Sequence, residues 1–538
     1  MKEIFRIKYA VVLIILIALV FNFVIKYDKK VFVPNLVIFG DNIDAKNTPF
    51  VQDDGIYLAY DTILKTIDKN IHYDKMSSKV IITTDKSLVK LKVNSKEGSF
   101  NLENKDIQNE VIKKDEVIYI PINILKEIYD IDITYNKDNN NIVIDYKNNT
   151  TGDIKINKVN VYSDITTDSS VIKVLNKNTS VIIYNKSFSH NRWYKIKTDD
   201  NIVGYIFKDS INNIKENNEV IKKEVKNNNI VLAWQYGNKV ESIENNNTIN
   251  VLSPTLYELT DASGNISSKD ASEYVNKAKS LNYKVWPIIT NGIDNANYSS
   301  KDTSNLVNSE KARENLIKNI KNVILRDNLD GINIDFEAMK TEDKDKYTQF
   351  IRELSPILRS MNKVISVDMY FVAYIDRKEV GIASDYVVLM GYDQRGAWSN
   401  SSGSISEIPW VDENVKSLIE DSNIPANKII LGVPFYTRLW KETSGISKPT
   451  TTTYTMKEQN KYISDNKLKP SYDDKAMQNY VEYTKGSVTY KMWLEDATSI
   501  KNRIDVINKY KLAGIATWRK GFETSDVWDV IKNNLKEE

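Results

Sequence analysis

Between residues 230 and 538, strand-sized apolar runs keep recurring with amphipathic helices between them, and few folds accommodate that alternation. Ile230 to Trp234, Ile249 to Ser253, Val285 to Ile289, Gly331 to Phe336, Val364 to Val367, Tyr386 to Met390, Ile429 to Val433 and Gly514 to Trp518 make eight runs. Between them, Ala271, Tyr274, Val275 and Ala278 form a helical stripe at i, i+3, i+4, i+7. Ala312, Leu316, Ile320 and Val323 form another, and Tyr347, Phe350, Ile351 and Leu354 a third. Strands alternating with helices on this scale predict a (β/α)8 TIM barrel, whose functional groups gather at the C-terminal ends of the strands. A stretch from roughly Lys441 to Asn502 lies between the last two runs and reads as an α+β insertion. Its Tyr480, Tyr483, Tyr490 and Trp493 suit either a small core of its own or one wall of a cleft, with Tyr483 and Trp493 the candidates for touching ligand.

One run departs from the rest. Asp330-Gly331-Ile332-Asn333-Ile334-Asp335-Phe336-Glu337 sets polar groups at alternate positions of an apolar strand, so Asn333, Asp335 and Glu337 share a face. Carboxylates among Ile, Ile and Phe lose hydration, which folding tolerates only where they are partnered or a site needs them. Glu337 falls at the strand's C-terminal end, and the run reads as a catalytic strand.

Composition removes whole classes of chemistry. The chain has 538 residues with no cysteine and two histidines, His72 and His190, which excludes thiol nucleophiles, disulfides and histidine-rich metal centres. No metal or cofactor is expected. The balance of 74 Lys and Arg against 72 Asp and Glu gives a net charge of +2, without the basic block of a nucleic-acid binder. A hydrophobic fraction of 41% supports several folded cores. The available chemistry is therefore that of carboxylates, hydroxyls and amides.

Residues 1–29 carry Lys2, Arg6 and Lys8 ahead of an apolar run from Tyr9 to Ile25. That length spans about 25 Å as a helix, the lower limit for a bilayer core. With no small-x-small site at its end, the run reads as an uncleaved anchor in preference to a signal peptide. The positive flank then stays inside and residues 30 onward lie outside the cytoplasm. The Asn-, Lys- and Ile-rich composition has a bacterial character.

Residues 30–147 read as an α+β domain of short strands, among them Lys79 to Thr84, Val89 to Val93 and Val117 to Pro121. The segment from Tyr119 to Ile144 resembles the N-terminal domain of copper amine oxidase, which implies a stalk or attachment module and no copper chemistry. Lys147 to Gly152 offers nothing apolar and reads as a linker. Residues 153–214 read as a small β-barrel that resembles bacterial SH3-like domains through Trp193-Tyr194-Lys195-Ile196 and Gly204-Tyr205-Ile206. The resemblance implies cell-wall peptides as partners, while Trp193 and Tyr205 serve equally as core aromatics. Residues 215–229 form a second polar linker.

The barrel itself resembles glycoside hydrolase family 18, whose strand-four signature Asp-x-x-Asp-x-Asp-x-Glu stands here as Asp330, Asn333, Asp335 and Glu337. Met390-Gly391-Tyr392-Asp393, Gly432-Val433-Pro434-Phe435-Tyr436 and Trp518 match in order. The Asn-Ile-Asp-Phe-Glu form resembles the bacterial branch of cell-wall and spore-cortex N-acetylglucosaminidases. The resemblance implies that Glu337 is the proton donor, that the substrate's 2-acetamido group is the nucleophile, and that Asp335 and Tyr392 orient it. It also implies that Asp330, Asn333, Asp393, Trp518, Tyr436 and Met390 bind the sugar. The expected substrate is a polysaccharide containing N-acetylglucosamine, with peptidoglycan ahead of chitin. A glycan-binding surface protein without catalysis is the alternative from another class.

Overall fold

A computed structural model describes residues 34–536 apart from 53–54, 137–139, 148, 185–191, 216–228, 268, 293–297 and 338. The segment Tyr9–Ile25 and His190 lie outside the described residues. Among the described residues no helix is long and apolar enough to cross a membrane.

All eight anticipated strands form. They are β1 (Ile230–Gln235), β2 (Val251–Glu258), β3 in two pieces (Lys284–Val285 and Ile288–Thr290), β4 (Gly331–Asp335), β5 (Val364–Met369), β6 (Tyr386–Met390), β7 (Ile429–Pro434) and β8 (Gly514–Trp518). Every neighbouring pair is parallel and β8 pairs back onto β1, so the barrel closes. The break in β3 falls at Trp286-Pro287, where the ring nitrogen of Pro287 has no hydrogen to give a ladder.

Outside the strands lie α1 (Ser272–Ser280), α2 (Ser300–Asn308), α3 (Glu310–Arg326), α4 (Lys344–Ser360), α5 (Arg377–Ala383) and α6 (Ile408–Glu420). The three sequence stripes are buried against the strands, with Tyr274, Val275, Leu316, Ile320, Tyr347, Phe350 and Leu354 in one core layer. That layer takes Ile332, Ile334 and Phe336 from β4 and its end, and Ile365, Val367 and Met369 from β5. A separate inner layer holds Leu232, Trp234, Trp286, Val388, Met390, Tyr392 and Ala516 inside the barrel. Strand parity then turns Asn333, Asp335 and Glu337 inward.

After β7 the insertion forms an antiparallel five-stranded sheet over Tyr436–Trp493, carrying α7 (Met456–Asp465). The chain returns through α8 (Ala497–Tyr510) to β8 and ends on α9 (Asp526–Asn534). Leu439, Val481, Met492 and Leu494 make its core. Tyr483 stacks on Tyr490 at 4.8 Å and bonds the Tyr462 hydroxyl, while the Trp493 indole donates to Asp473 at 2.8 Å. These aromatics therefore build the insertion itself.

The two N-terminal units differ from their sequence reading in two respects. Of the stretch Lys147 to Gly152 expected as a linker, Thr150 to Gly152 instead begin the strand Thr150–Ile154, paired with both Ser180–Tyr184 and Ile211–Lys215 in the seven-stranded SH3-like sheet. Gly152 permits this, because a Cβ there would sit 2.6 Å from the Ile211 side chain. Trp193 stacks on Phe207 at 4.1 Å and meets Tyr162 edge-on, which makes it a packing residue.

Nor is the α+β unit a free stalk. Its strands Lys79–Thr83 and Leu88–Lys92 lie against α4, and Ile81 and Leu88 belong to the outer core layer of the barrel. Beside them Lys90, only 2% exposed, reaches Glu310 at 2.6 Å, Glu314 at 3.1 Å and Glu353 at 3.4 Å. Arg313, fully buried, pairs with Glu353 at 2.9 Å and with Asp74 of the α+β unit at 3.6 Å. The SH3-like unit joins in turn through Lys195 and Asp41 at 2.6 Å, and through Lys197 and Tyr184 onto Asp145.

Candidate active site

At the centre of the barrel, Asn333 has no exposed surface. Its Oδ1 accepts from the Trp234 indole N–H at 2.8 Å, and its Nδ2 donates to Asp368 Oδ1 at 2.7 Å. An indole only donates and a carboxylate only accepts, so the bridging residue must offer one acceptor and one donor. An amide does this without a proton, whereas aspartate would have to be protonated. Asn at this position thus removes one titrating group from the row while keeping it connected.

Above Asn333 sit Asp335 and Glu337. Asp335 is hydrogen-bonded to Glu337, and its Oδ1 is shut off from water with no partner among the described residues. Burial first, and then the Glu337 charge, push the Asp335 carboxyl well above the usual carboxylate range. Asp368 is pushed up as well, by burial and by Asp335 and Glu337, against the opposing bond from Asn333. Two carboxyl groups joined by a hydrogen bond share one proton, so the pair is built to hold a proton that a monomeric carboxylate would have lost.

The backbone of Glu337 is fixed from the neighbouring strand end. Asn291 Oδ1 accepts from the Glu337 N–H at 3.0 Å, and Asn291 Nδ2 donates to the Glu337 carbonyl at 2.6 Å. One side-chain amide therefore extends the β3–β4 ladder two residues past the end of β4.

Tyrosines roof the acids. Tyr392 meets Tyr370 at 6.4 Å and Tyr436 at 6.2 Å, both edge to face. Burial raises the phenols of Tyr370, Tyr392 and Tyr436, and the surrounding carboxyl groups add to it, so each keeps its O–H as a donor. Tyr436 donates to Asp393 Oδ1 at 2.8 Å, and Arg438 Nη2 stands 3.6 Å from the same oxygen. Asp393 holds a left-handed φ of 55°, which turns its carboxylate toward those donors. Trp518 ends β8 half-buried, edge-on to Trp234 at 5.8 Å, with a cis peptide to Arg519.

The geometry thus brings together Asp335, Glu337, Tyr392, Asp393, Tyr436 and Trp518. It does not bring Asp330 to them. Asp330 precedes β4 at the far end of the barrel, about 20 Å away along the strand, where it accepts from the Val285 N–H at 3.0 Å and pairs with Lys279 at 3.2 Å. Its carboxylate locks strand ends, which corrects the expectation that it binds sugar. Asn333 and Met390 lie beneath the mouth, 0% and 5% exposed, and support the groups above them without surface of their own to offer. Asp368 and Asn291 went unnoticed in the sequence. The signal for Asp368 was there, since Ser366, Asp368 and Tyr370 alternate with Ile365, Val367 and Met369 as the acids of β4 do with theirs.

Residues 201–522 match the glycosyl hydrolases family 18, more than half of the chain. The chain belongs to glycoside hydrolase family 18. Residues 37–144 match the copper amine oxidase N-terminal domain and residues 157–212 the bacterial SH3 domain. Where the matches overlap, the structure assigns Val203–Phe207 to the SH3-like sheet and starts the barrel at Ile230. Among curated relatives, the chain is 27% identical over 286 residues to the uncharacterized glycosylase YvbX of Bacillus subtilis (strain 168), covering 51% of this chain and 81% of that one. It is 28% identical over 275 residues to the cortical fragment-lytic enzyme of the same organism, covering 48% of this chain and 61% of that one. Two solved structures share the fold at a TM-score of 0.51. The spore cortex-lytic enzyme SleL of Bacillus megaterium QM B1551 has 21% identity, over 69% of this chain and 80% of its own. A chitinase from Chromobacterium violaceum ATCC 12472 has 20% identity, over 58% and 100%. The family 18 barrel accordingly marks this protein as a glycosidase.

Proposed function

We propose that this family 18 barrel cleaves β-1,4 bonds after N-acetylglucosamine in peptidoglycan, by a retaining mechanism in which the substrate's own 2-acetamido group displaces the leaving sugar. The observation that carries the reading is the hydrogen-bonded Asp335–Glu337 pair with a buried, unpartnered acceptor on Asp335. Glu337 gives its proton to the glycosidic oxygen as that bond breaks. The acetamido oxygen attacks C1 and closes a cyclic oxazolinium, so no side chain has to act as nucleophile. Asp335 Oδ1 accepts the acetamido N–H and balances the charge that develops on the ring. Tyr392 donates to the acetamido oxygen, Asp393 takes a sugar hydroxyl and Trp518 floors the sugar ring. Water then opens the oxazolinium, giving its proton back to Glu337, and the β configuration is retained.

Relatives named for the lysis of spore cortex favour a bacterial wall glycan over chitin. The same reading places the enzyme outside the cytoplasm of a bacterium, held by Tyr9–Ile25, with wall peptides as ligands of the SH3-like domain. Mass spectrometry of digests of purified peptidoglycan and of chitin oligomers tests it. New reducing ends on N-acetylglucosamine, released faster from peptidoglycan, are the expected result. New ends on muramic acid, or no release from either, contradict it.

The pH dependence follows from the charges. Asp368→Asn keeps an oxygen for Asn333 Nδ2 but removes a carboxylate that repels the ionised Asp335–Glu337 pair. The shared proton then leaves at lower pH, so the alkaline limb of the pH–activity profile is expected to move down. A limb that stays or moves up would show that Asp368 carries no charge in the active form.

A further inference from the structure

The barrel mouth has a cation for which no carboxylate partner stands among the described residues. Arg519 follows Trp518 directly, on the rim where β8 meets β1, and is partly buried. Its guanidinium lies 4.0 Å from the ring centroid of Phe522 and 5.4 Å from that of Tyr236. The site is open, since Tyr236 is 68% exposed. Three arginines of the barrel and its insertion face carboxylates, Arg313 with Glu353, Arg438 with Asp393 and Arg503 with Glu495, whereas the half-buried Arg377 and Arg395 bond hydroxyls away from the Trp518 rim. Among the described residues no Asp or Glu makes an ion pair with Arg519, and the carboxylate nearest in sequence, Glu523, is turned onto the Gly521 N–H.

The segment is held in place around it. Lys520 N–H donates to the Trp234 carbonyl at 2.9 Å, and the Trp518 carbonyl accepts from the Phe435 N–H at 2.7 Å. Phe522 and Tyr236 pack against the planar guanidinium, and among the described residues no acceptor takes its N–H donors, which leaves them for a ligand. Burial lowers Arg519 from its ordinary value, as expected of a cation that has lost water without gaining an anion.

We propose that Arg519 is a specificity-determining residue that binds a carboxylate on the glycan, in the subsite adjoining the sugar stacked on Trp518. The proposal rests on the reading of the barrel mouth as a glycan site and deepens it, because an N-acetylglucosamine polymer has no carboxylate whereas peptidoglycan has two sources: the lactyl group of muramic acid and the peptide stem. A charged hydrogen bond of this kind supports discrimination of about 10- to 100-fold.

Three substrates separate the possibilities: a neutral N-acetylglucosamine oligomer, a peptide-free strand alternating with muramic acid, and the same strand with its stems. In the full-length protein, Arg519→Gln is expected to lower the ratio of kcat/KM for carboxylate-bearing to neutral substrate by about 10- to 100-fold. A drop on the peptide-free strand identifies the lactyl group, and a drop on the stem-bearing strand alone identifies the peptide. A ratio that does not move overturns the proposal. If the wild-type protein hydrolyses none of the three, the hydrolase reading fails alone. Arg519 is then decided by calorimetric binding of the same oligomers to Glu337→Gln with and without Arg519→Gln, where an unchanged affinity ratio again overturns it.

Discussion

Glu337→Gln is expected to lower kcat by about 10²- to 10⁴-fold with little change in the affinity for substrate. That loss corresponds to about 3 to 5 kcal/mol of transition-state stabilisation. The amide keeps the shape of the side chain and Asn291 continues to hold the backbone, so what disappears is the transferable proton. Because the proton is shared with Asp335, the variant should also release Asp335 from carboxyl repulsion, leaving it an ordinary acceptor for the acetamido N–H. Steady-state kinetics on a defined oligomer, with calorimetric binding of the uncleaved substrate, checks both halves. A kcat within threefold of wild type would remove Glu337 from its role.

The second large effect is on stability. Lys90→Met is expected to destabilise the protein by about 3 to 5 kcal/mol, the cost of leaving buried charges without their partner. Glu310 would keep Lys79 at 3.0 Å and Glu353 would keep Arg313, but the carboxylates that converge on Lys90 would repel one another across the interface. Burial by itself would lower the Lys90 ammonium, yet Glu353, Glu310 and Glu314 raise it, so the carboxylates win. Conversely Lys90 and Lys318 hold Glu314 down at about 2 against an ordinary value of 4.5. A depressed carboxylate stabilises the fold above its unfolded value and loses that contribution as pH falls, so the interface should weaken between about pH 4.5 and 2. As a control, Lys92→Met breaks an exposed pair with Glu97 and should cost no more than about 1 kcal/mol. Urea unfolding of the two variants decides the matter, and equal small losses would mean that the α+β unit is not fastened to the barrel as described.

That fastening was the least legible part of the sequence. In Val89 to Val93 the alternation of Val, Leu and Lys marks two faces correctly, but nothing in it says that the lysine face meets a second domain instead of water. The barrel was legible because strands covered on both sides must be apolar throughout, and eight such runs leave little choice. The acids of β4 were legible for the opposite reason, since they break that rule with a period of two. Asp330 fits the same spacing, and only its place before Gly331, ahead of the strand, separates a strand-end lock from the mouth. Asn291 could not be found by pattern, because its task is set by the backbone it reaches across β3 and β4. Thr150 to Gly152 reads as a linker because a strand whose middle residue is glycine carries no apolar signal; its place is set by the side chains of Ile183 and Ile211 that crowd it.

The most direct test of the account compares oligomers whose 2-acetamido groups carry zero, one or three fluorines. Fluorine withdraws electrons from the amide oxygen without altering the leaving group. If that oxygen forms the new bond to C1, kcat/KM should fall steeply along the series while the binding of each oligomer to Glu337→Gln stays level. A rate indifferent to fluorination would mean that the substrate's amide takes no part in the displacement.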